Sequence, residues 1–246
     1  MQNLKLTITY DGTAYVGWQR QANGVSVQEC LENALRQIYN KRVIIHGASR
    51  TDAGVHALGM IAHFHKPNDR YQLPKLFLSL NALLPPDIRV SRIQQAKSNF
   101  HARFSAKSKL YRYRILNGAI GAPFRRNITW HIHKPLDFFA MRKAARFFLG
   151  KHNFSSIAVN PGYQRTSMIR RIYRCSVLRR CDEIHIEVEA DGFLYKMVRT
   201  IVGTLLEVGL HKRTIESVVE LLKKRKRSLA GKTAPAHGLF LVRVKY

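Results

Sequence analysis

The chain has 246 residues, 46% of them apolar, enough to bury the core of one large domain or of two ordinary ones. Against 15 Asp and Glu stand 42 Lys and Arg, and the formal charge of +27 points to a polyanionic partner, nucleic acid first. No apolar run approaches the roughly 20 residues of a membrane-spanning helix, and the opening MQNLKLTITY alternates like a strand and lacks the apolar block of a signal peptide. The expected setting is therefore the cytoplasm, with no membrane partner.

Leu4, Leu6, Ile8 and Tyr10 alternate with Lys5, Thr7 and Thr9, the period of a half-buried strand. The stretch after it, DGTAYVGWQRQANG, mixes glycines with aromatic and basic side chains and reads either as a long turn or as an RNA-contacting loop. Ser26 and Glu29 form an S-x-x-E capping box, and Val27, Cys30, Leu31, Ala34, Leu35 and Ile38 follow at helical spacing. Two β-rich segments, Arg42 to Ile45 and Met60 to Phe64, enter and leave a loop that contains Arg50, Asp52 and Gly54. A second helix is predicted from Pro74 through Leu76, Phe77, Leu80 and Leu83, stopping at Pro85-Pro86, with a strand at Ile88 to Ile93.

NFHARFSAKSK, residues 99–109, interleaves Phe100 and Phe104 with His101, Arg103, Lys107 and Lys109, a mixture suited to stacking and phosphate contact, or to a solvated linker. The strand Leu110 to Leu116 then sets Tyr111, Tyr113 and Ile115 on one face and Arg112 and Arg114 on the other. Asp137 is placed to cap a helix reaching Leu149, with Gly150 just beyond its end. Met168 to Leu178 and Glu183 to Ala190 read as a hairpin. The following helix carries Leu194, Met197, Val198, Ile201, Val202 and Leu205 as a wide apolar stripe, with Gly203 able to admit another backbone and Lys196 and Arg199 outside the stripe. A helix from Thr214 into the basic run Lys223 to Arg227 and a strand from Gly238 to Tyr246 complete the chain. The pattern is α/β of the α+β type in two lobes, residues 1–105 and 106–246, with no Ser- or Pro-rich linker between them.

Asp52 is the residue with chemical promise. A lone acid in a turn of so basic a chain is expected to stay ionised, which makes it a candidate nucleophile, although Asp in a turn also serves simply by bonding to backbone N–H groups. Two His-x-His pairs, His63 with His65 and His131 with His133, have no evident third ligand, and the three cysteines show neither zinc spacing nor a disulfide framework, so no metal is expected. No phosphate-binding G-x-x-x-x-G-K-[ST] loop is present.

Six blocks in order, YDGTAYVGWQRQ, RTDAGVHA, FHARFSA, YRYRI, FLYKMVRTIVGTLLEVG and APAHGLFLVRVKY, resemble the tRNA pseudouridine synthase A family over nearly the whole chain. The resemblance implies a pseudouridine synthase fold, two related lobes with a mainly antiparallel central sheet flanked by helices. It further implies a homodimer acting without metal or organic cofactor on the anticodon arm of tRNA, at positions 38 to 40. It assigns Asp52 as catalytic carboxylate, Tyr111 as the ring beneath the target base and Arg199 as the partner of Asp52; the chemistry also needs a base for the C5 proton, for which Tyr111 is a candidate. Arg50 and Arg103 are implied to bind substrate. The carboxylate can act on C1′, on C6 of the uracil or on a sugar proton. Asn153 stands where the family usually shows Asp, and Met60 where Gln is common. The other reading is a non-catalytic, ribosome-associated RNA-binding protein that keeps the fold.

Overall fold

The computed structural model describes residues 2–69, 71–160, 162 and 167–246. Along them run β1 (Asn3–Tyr10), α1 (Val27–Tyr39), β2 (His46–Gly47), β3 (His56–His65), α2 (Leu73–Leu83) and β4 (Ile88–Ala96). There follow β5 (Ser108–Asn117), β6 (Trp130–Ile132), α3 (Phe138–Ala145), β7 (Gly150–Asn153), β8 (Ile169–Arg180), β9 (Glu183–Ala190), α4 (Met197–Gly209), α5 (Ser217–Lys224) and β10 (Leu239–Lys245). The chain divides into two compact units, one of the residues up to Lys107 with Phe240–Tyr246, the other Ser108–Leu239. The mixed α/β class, with a mainly antiparallel sheet flanked by helices, is the expected one.

In the first unit the strand order is β4-β1-β3-β10, with β2 also on β3. β1 runs antiparallel to both neighbours, while β10 runs parallel to β3 with Phe240 opposite His56 and Leu241 opposite Ala57. The closing strand thus groups with the first unit and not with the lobe in which sequence order places it. Leu4, Leu6 and Ile8 of β1 are fully buried, as are Val27, Leu31 and Leu35 of α1. Ser26 caps α1, its Oγ accepting the Glu29 N–H at 3.2 Å, while the Glu29 carboxylate pairs with Arg20.

The expected strand Arg42 to Ile45 does not form; pairing begins only at His46. The backbone groups of Ile45 are satisfied by α1 instead, its N–H by Glu32 Oε1 at 3.1 Å and its C=O by Gln28 Nε2 at 3.0 Å. After the loop, β3 starts at His56, four residues before the expected Met60.

The second unit has the antiparallel order β5-β9-β8-β7, with β6 added parallel to β5. Tyr113 opposite Ile186 and Val177 opposite Ile186 place one apolar face of the sheet in register, and all three side chains are buried. Helices α3 and α4 pack on each other, α3 also on β8 and α4 on β5. On the other face the buried carboxylates are paired: Glu183 with Arg114, Glu187 with Arg112 and Arg174, and Glu189 with Ser108. Burial opposes ionisation of Glu183, but hydrogen bonds from Arg114 and His185 win and bring its pKa down to about 2. Part of the chain's positive charge is therefore spent internally.

Asp137 caps α3 as expected, its Oδ1 accepting the Ala140 N–H at 2.8 Å. The helix tightens into a 3-10 turn over Arg146–Phe148, and Gly150 follows at φ +96°. α5 is shorter than its periodicity suggested, because Arg225 adopts a left-handed conformation and leaves Arg225 to Arg227 beyond the helix. Gly203 does admit another backbone: a Cβ there would stand 1.7 Å from the Lys232 carbonyl oxygen.

Candidate active site

Asp52 opens a tight turn, closed by the Val55 N–H donating to the Asp52 carbonyl at 3.1 Å. Both sides of this turn are fastened to the loop that follows β1. The Trp18 N–H donates to the Thr51 carbonyl at 3.2 Å, the Gly54 N–H to the Tyr15 carbonyl at 3.3 Å, and Gly17 forms a β-bridge with Asp52 itself. Tyr10 Oη and Thr51 Oγ1 are 2.8 Å apart, and the Gly12 N–H donates to Nδ1 of the buried His56 at 3.0 Å.

These bonds revise the reading of the first loop. Tyr15 and Trp18 are buried, so base stacking does not fall to them, and the exposed Arg20 pairs with Glu29 and Glu32 of α1. The loop buttresses the Asp52 turn. Gly12 is required for this closeness, since a Cβ there would stand 2.1 Å from the Val55 carbonyl oxygen. Asp52 is half-buried and Arg50, two residues earlier, is exposed.

Arg103, also in the first unit, lies in the turn of the F-H-A-R-F segment. That turn is held from beneath, the Ala102 N–H donating to Nδ1 of buried His63 at 3.1 Å and Tyr246 Oη donating to the Ala102 carbonyl at 2.8 Å. His101 Nδ1 accepts the Arg103 N–H at 3.1 Å, and the exposed Arg103 guanidinium lies 5.5 Å from the centre of the exposed Phe104 ring. A cation beside an open aromatic face is a surface for a phosphate and a base.

His63 is thus part of the scaffold. Its ring is also 5.2 Å from that of His46 and 4.6 Å from that of His101. Burial first, then the charges of His101 and His46, lower its pKa to about 4, so it stays neutral and keeps its acceptor nitrogen at neutral pH. His131 donates from Nε2 to the Gly118 carbonyl at 2.7 Å. Among the described residues no group of three or more His, Cys, Asp or Glu is arranged to hold a metal ion, and no helix is long and apolar enough to cross a membrane.

Tyr111 and Arg199 belong to the second unit. Tyr111 sits in the middle of β5, opposite Val188, buried, with its ring edge-on to Phe193 at 5.1 Å. Arg199 is in the first turn of α4, half-buried, and its Nε–H donates to the Ala234 carbonyl at 2.7 Å while the Ala234 N–H donates to the Arg199 carbonyl at 3.1 Å. The side chain and the backbone of Arg199 are clamped by one residue. Asn153 Oδ1 accepts the Ser155 N–H at 3.0 Å, a bond that a carboxylate oxygen would make equally well, and Met60 is a core residue of β3 opposite Ile8.

The residues that the sequence singled out lie in both units, Asp52, Arg50 and Arg103 in the first and Tyr111 and Arg199 in the second. Not singled out were the supports: Tyr10, Gly12 and His56 around the Asp52 turn, and Tyr246 with His63 under Arg103. The signal was present only as motif letters, the Y-D-G and the V-H, whose partners are far apart in sequence.

A family profile described as tRNA pseudouridine synthase matches residues 6–105 and 144–246. The chain belongs to the tRNA pseudouridine synthase family, and is with it an isomerase. It is 46% identical over 246 residues to tRNA pseudouridine synthase A of Thermoanaerobacter sp. (strain X514), covering 100% of both chains. It is 44% identical over 250 residues to tRNA pseudouridine synthase A of Acetivibrio thermocellus, again covering 100% of both. The protein of that name from Blochmanniella pennsylvanica is 43% identical over 246 residues, which are 100% of this chain and 94% of the relative.

Proposed function

We propose that this isomerase converts uridine to pseudouridine at positions 38 to 40 of the tRNA anticodon stem-loop, with Asp52 as nucleophile, and that it works as a cytoplasmic homodimer. The observation that carries the reading is the Asp52 turn, fastened on both sides to the first loop, within a chain similar over its whole length to the named synthases. A catalytic carboxylate must be presented in one geometry, because small misplacement is costly in rate.

The reaction breaks the C1′–N1 bond, turns the uracil and forms a C1′–C5 bond. The C5 proton leaves and N1 gains one, so atoms balance and no electrons are exchanged. Asp52 supplies the negative charge that opens the sequence, whether at C1′, at C6 or on a sugar proton. Arg199, its Nε–H held by the Ala234 carbonyl, is the cation we assign as partner of that carboxylate. Tyr111 offers a ring on which the freed uracil turns and a phenol to take the C5 proton. Arg50 and the Arg103–Phe104 surface hold the flipped nucleotide and its phosphates, and the excess of basic residues offsets the few kcal/mol that flipping costs.

Unmodified tRNA incubated with the protein and mapped with carbodiimide tests the site of action. Stops confined to positions 38 to 40 are expected. Pseudouridine elsewhere in the tRNA, or none, overturns the reading. Sedimentation at micromolar concentration should give twice the chain mass, and a monomer removes the dimer from the proposal.

A further inference from the structure

Gly231–Gly238 runs back along α4 as a strap, bonded to it at successive residues. The Gly231 N–H donates to Thr204 Oγ1 at 3.1 Å, the Lys232 N–H to Glu207 Oε1 at 3.2 Å, and Ala234 makes its two bonds to Arg199. The next residue, Pro235, has no N–H, and its carbonyl oxygen accepts from Tyr113 Oη at 2.9 Å. Tyr113 is fully buried, its ring lying against Gly238 and edge-on to Trp130 at 6.2 Å. Burial pushes its phenol far above the ordinary range, with the nearby Arg199 charge opposing, so the hydroxyl remains a donor at any working pH.

Tyr113 is two residues from Tyr111 on the same face of β5. We infer that Tyr113 is a positioning residue for Arg199, fixing through Pro235 the carbonyl of Ala234 that sets the guanidinium, and so ties the Tyr111 strand to the arginine. This rests on the reading of Arg199 as a residue of the reaction. The chain of contacts is short: a phenol with one donor, the carbonyl of Pro235, the carbonyl of Ala234 one peptide earlier, and Nε of Arg199. A guanidinium is planar, so fixing Nε fixes the plane in which its other N–H groups lie. Without the Tyr113 bond the strap is still held at Gly231 and Lys232, but the end that sets Arg199 is loosened.

The test is a double-mutant cycle between Tyr113→Phe and Arg199→Lys, read by single-turnover conversion of an anticodon stem-loop at saturating RNA. The phenyl ring keeps the packing against Gly238 and Trp130, so the Phe variant folds, and a melting curve checks this. Tyr113→Phe should lower the rate about tenfold, the effect of one neutral hydrogen bond, with RNA affinity unchanged. In the Arg199→Lys background, where Nε of the guanidinium is gone, Tyr113→Phe should cost nothing further. A wild-type rate for Tyr113→Phe, or the same loss in both backgrounds, overturns the inference alone. A wild-type rate for Arg199→Lys overturns both the inference and the role given to Arg199.

Discussion

The backbone N–H of Gly12 donates to Nδ1 of His56, so the second residue of the loop after β1 and the first residue of β3 hold the Asp52 turn between them. Gly12→Ala would put a methyl carbon 2.1 Å from the Val55 carbonyl oxygen, and one of the two backbones must retreat. The expected result is a loss of roughly 10- to 100-fold in single-turnover rate, from displacement of the carboxylate, with a lowered melting temperature and little change in RNA affinity. An unchanged rate would separate the Gly12–His56 contact from catalysis.

Stability should fall in mild acid because of the histidines under the Arg103 turn. The pKa of His63 drops from the ordinary 6.5 to about 4 on folding, and that of His101 is lowered too, by burial first and then by His46 and Arg103. Between those two values the unfolded chain binds the proton that the folded one refuses. The stabilisation is therefore complete above pH 6.5 and is lost as pH falls toward 4, by up to about 1.4 kcal/mol per pH unit for one proton. Urea titrations across that window should show the slope, and His63→Gln should flatten it. A slope unaltered by that substitution would place the acid sensitivity elsewhere.

The parts of the fold written in local sequence were the legible ones. The Ser26 and Asp137 caps start their helices because each uses a partner three residues on. The R-V-I-I segment was misread because Val43 and Ile45 do alternate with exposed neighbours, yet the backbone of Ile45 bonds to side chains of α1 that periodicity does not reveal. β6 and β7 are three and four residues long, too short to show a period. The candidate site was legible as motifs and illegible as support: nothing in Y-D-G shows that Tyr15 and Trp18 are buried, or that the backbone around them carries the Asp52 turn.

Tyr111→Phe should keep RNA binding and stop product formation, because the ring edge-on to Phe193 remains while the phenol that takes the C5 proton is gone. Filter binding and product assays on one preparation check both halves. Full turnover by this variant would move the base to another group.

If the negative charge of Asp52 drives the reaction, Asp52→Asn isolates that charge. The amide is nearly isosteric, and the turn is held by backbone bonds that the substitution leaves in place. Single-turnover conversion of uridine in an anticodon stem-loop, run beside a binding assay and a melting curve, is the measurement. Near-normal folding and RNA affinity with no detectable pseudouridine are expected. Conversion at the wild-type rate by the amide variant would contradict the role given to that charge.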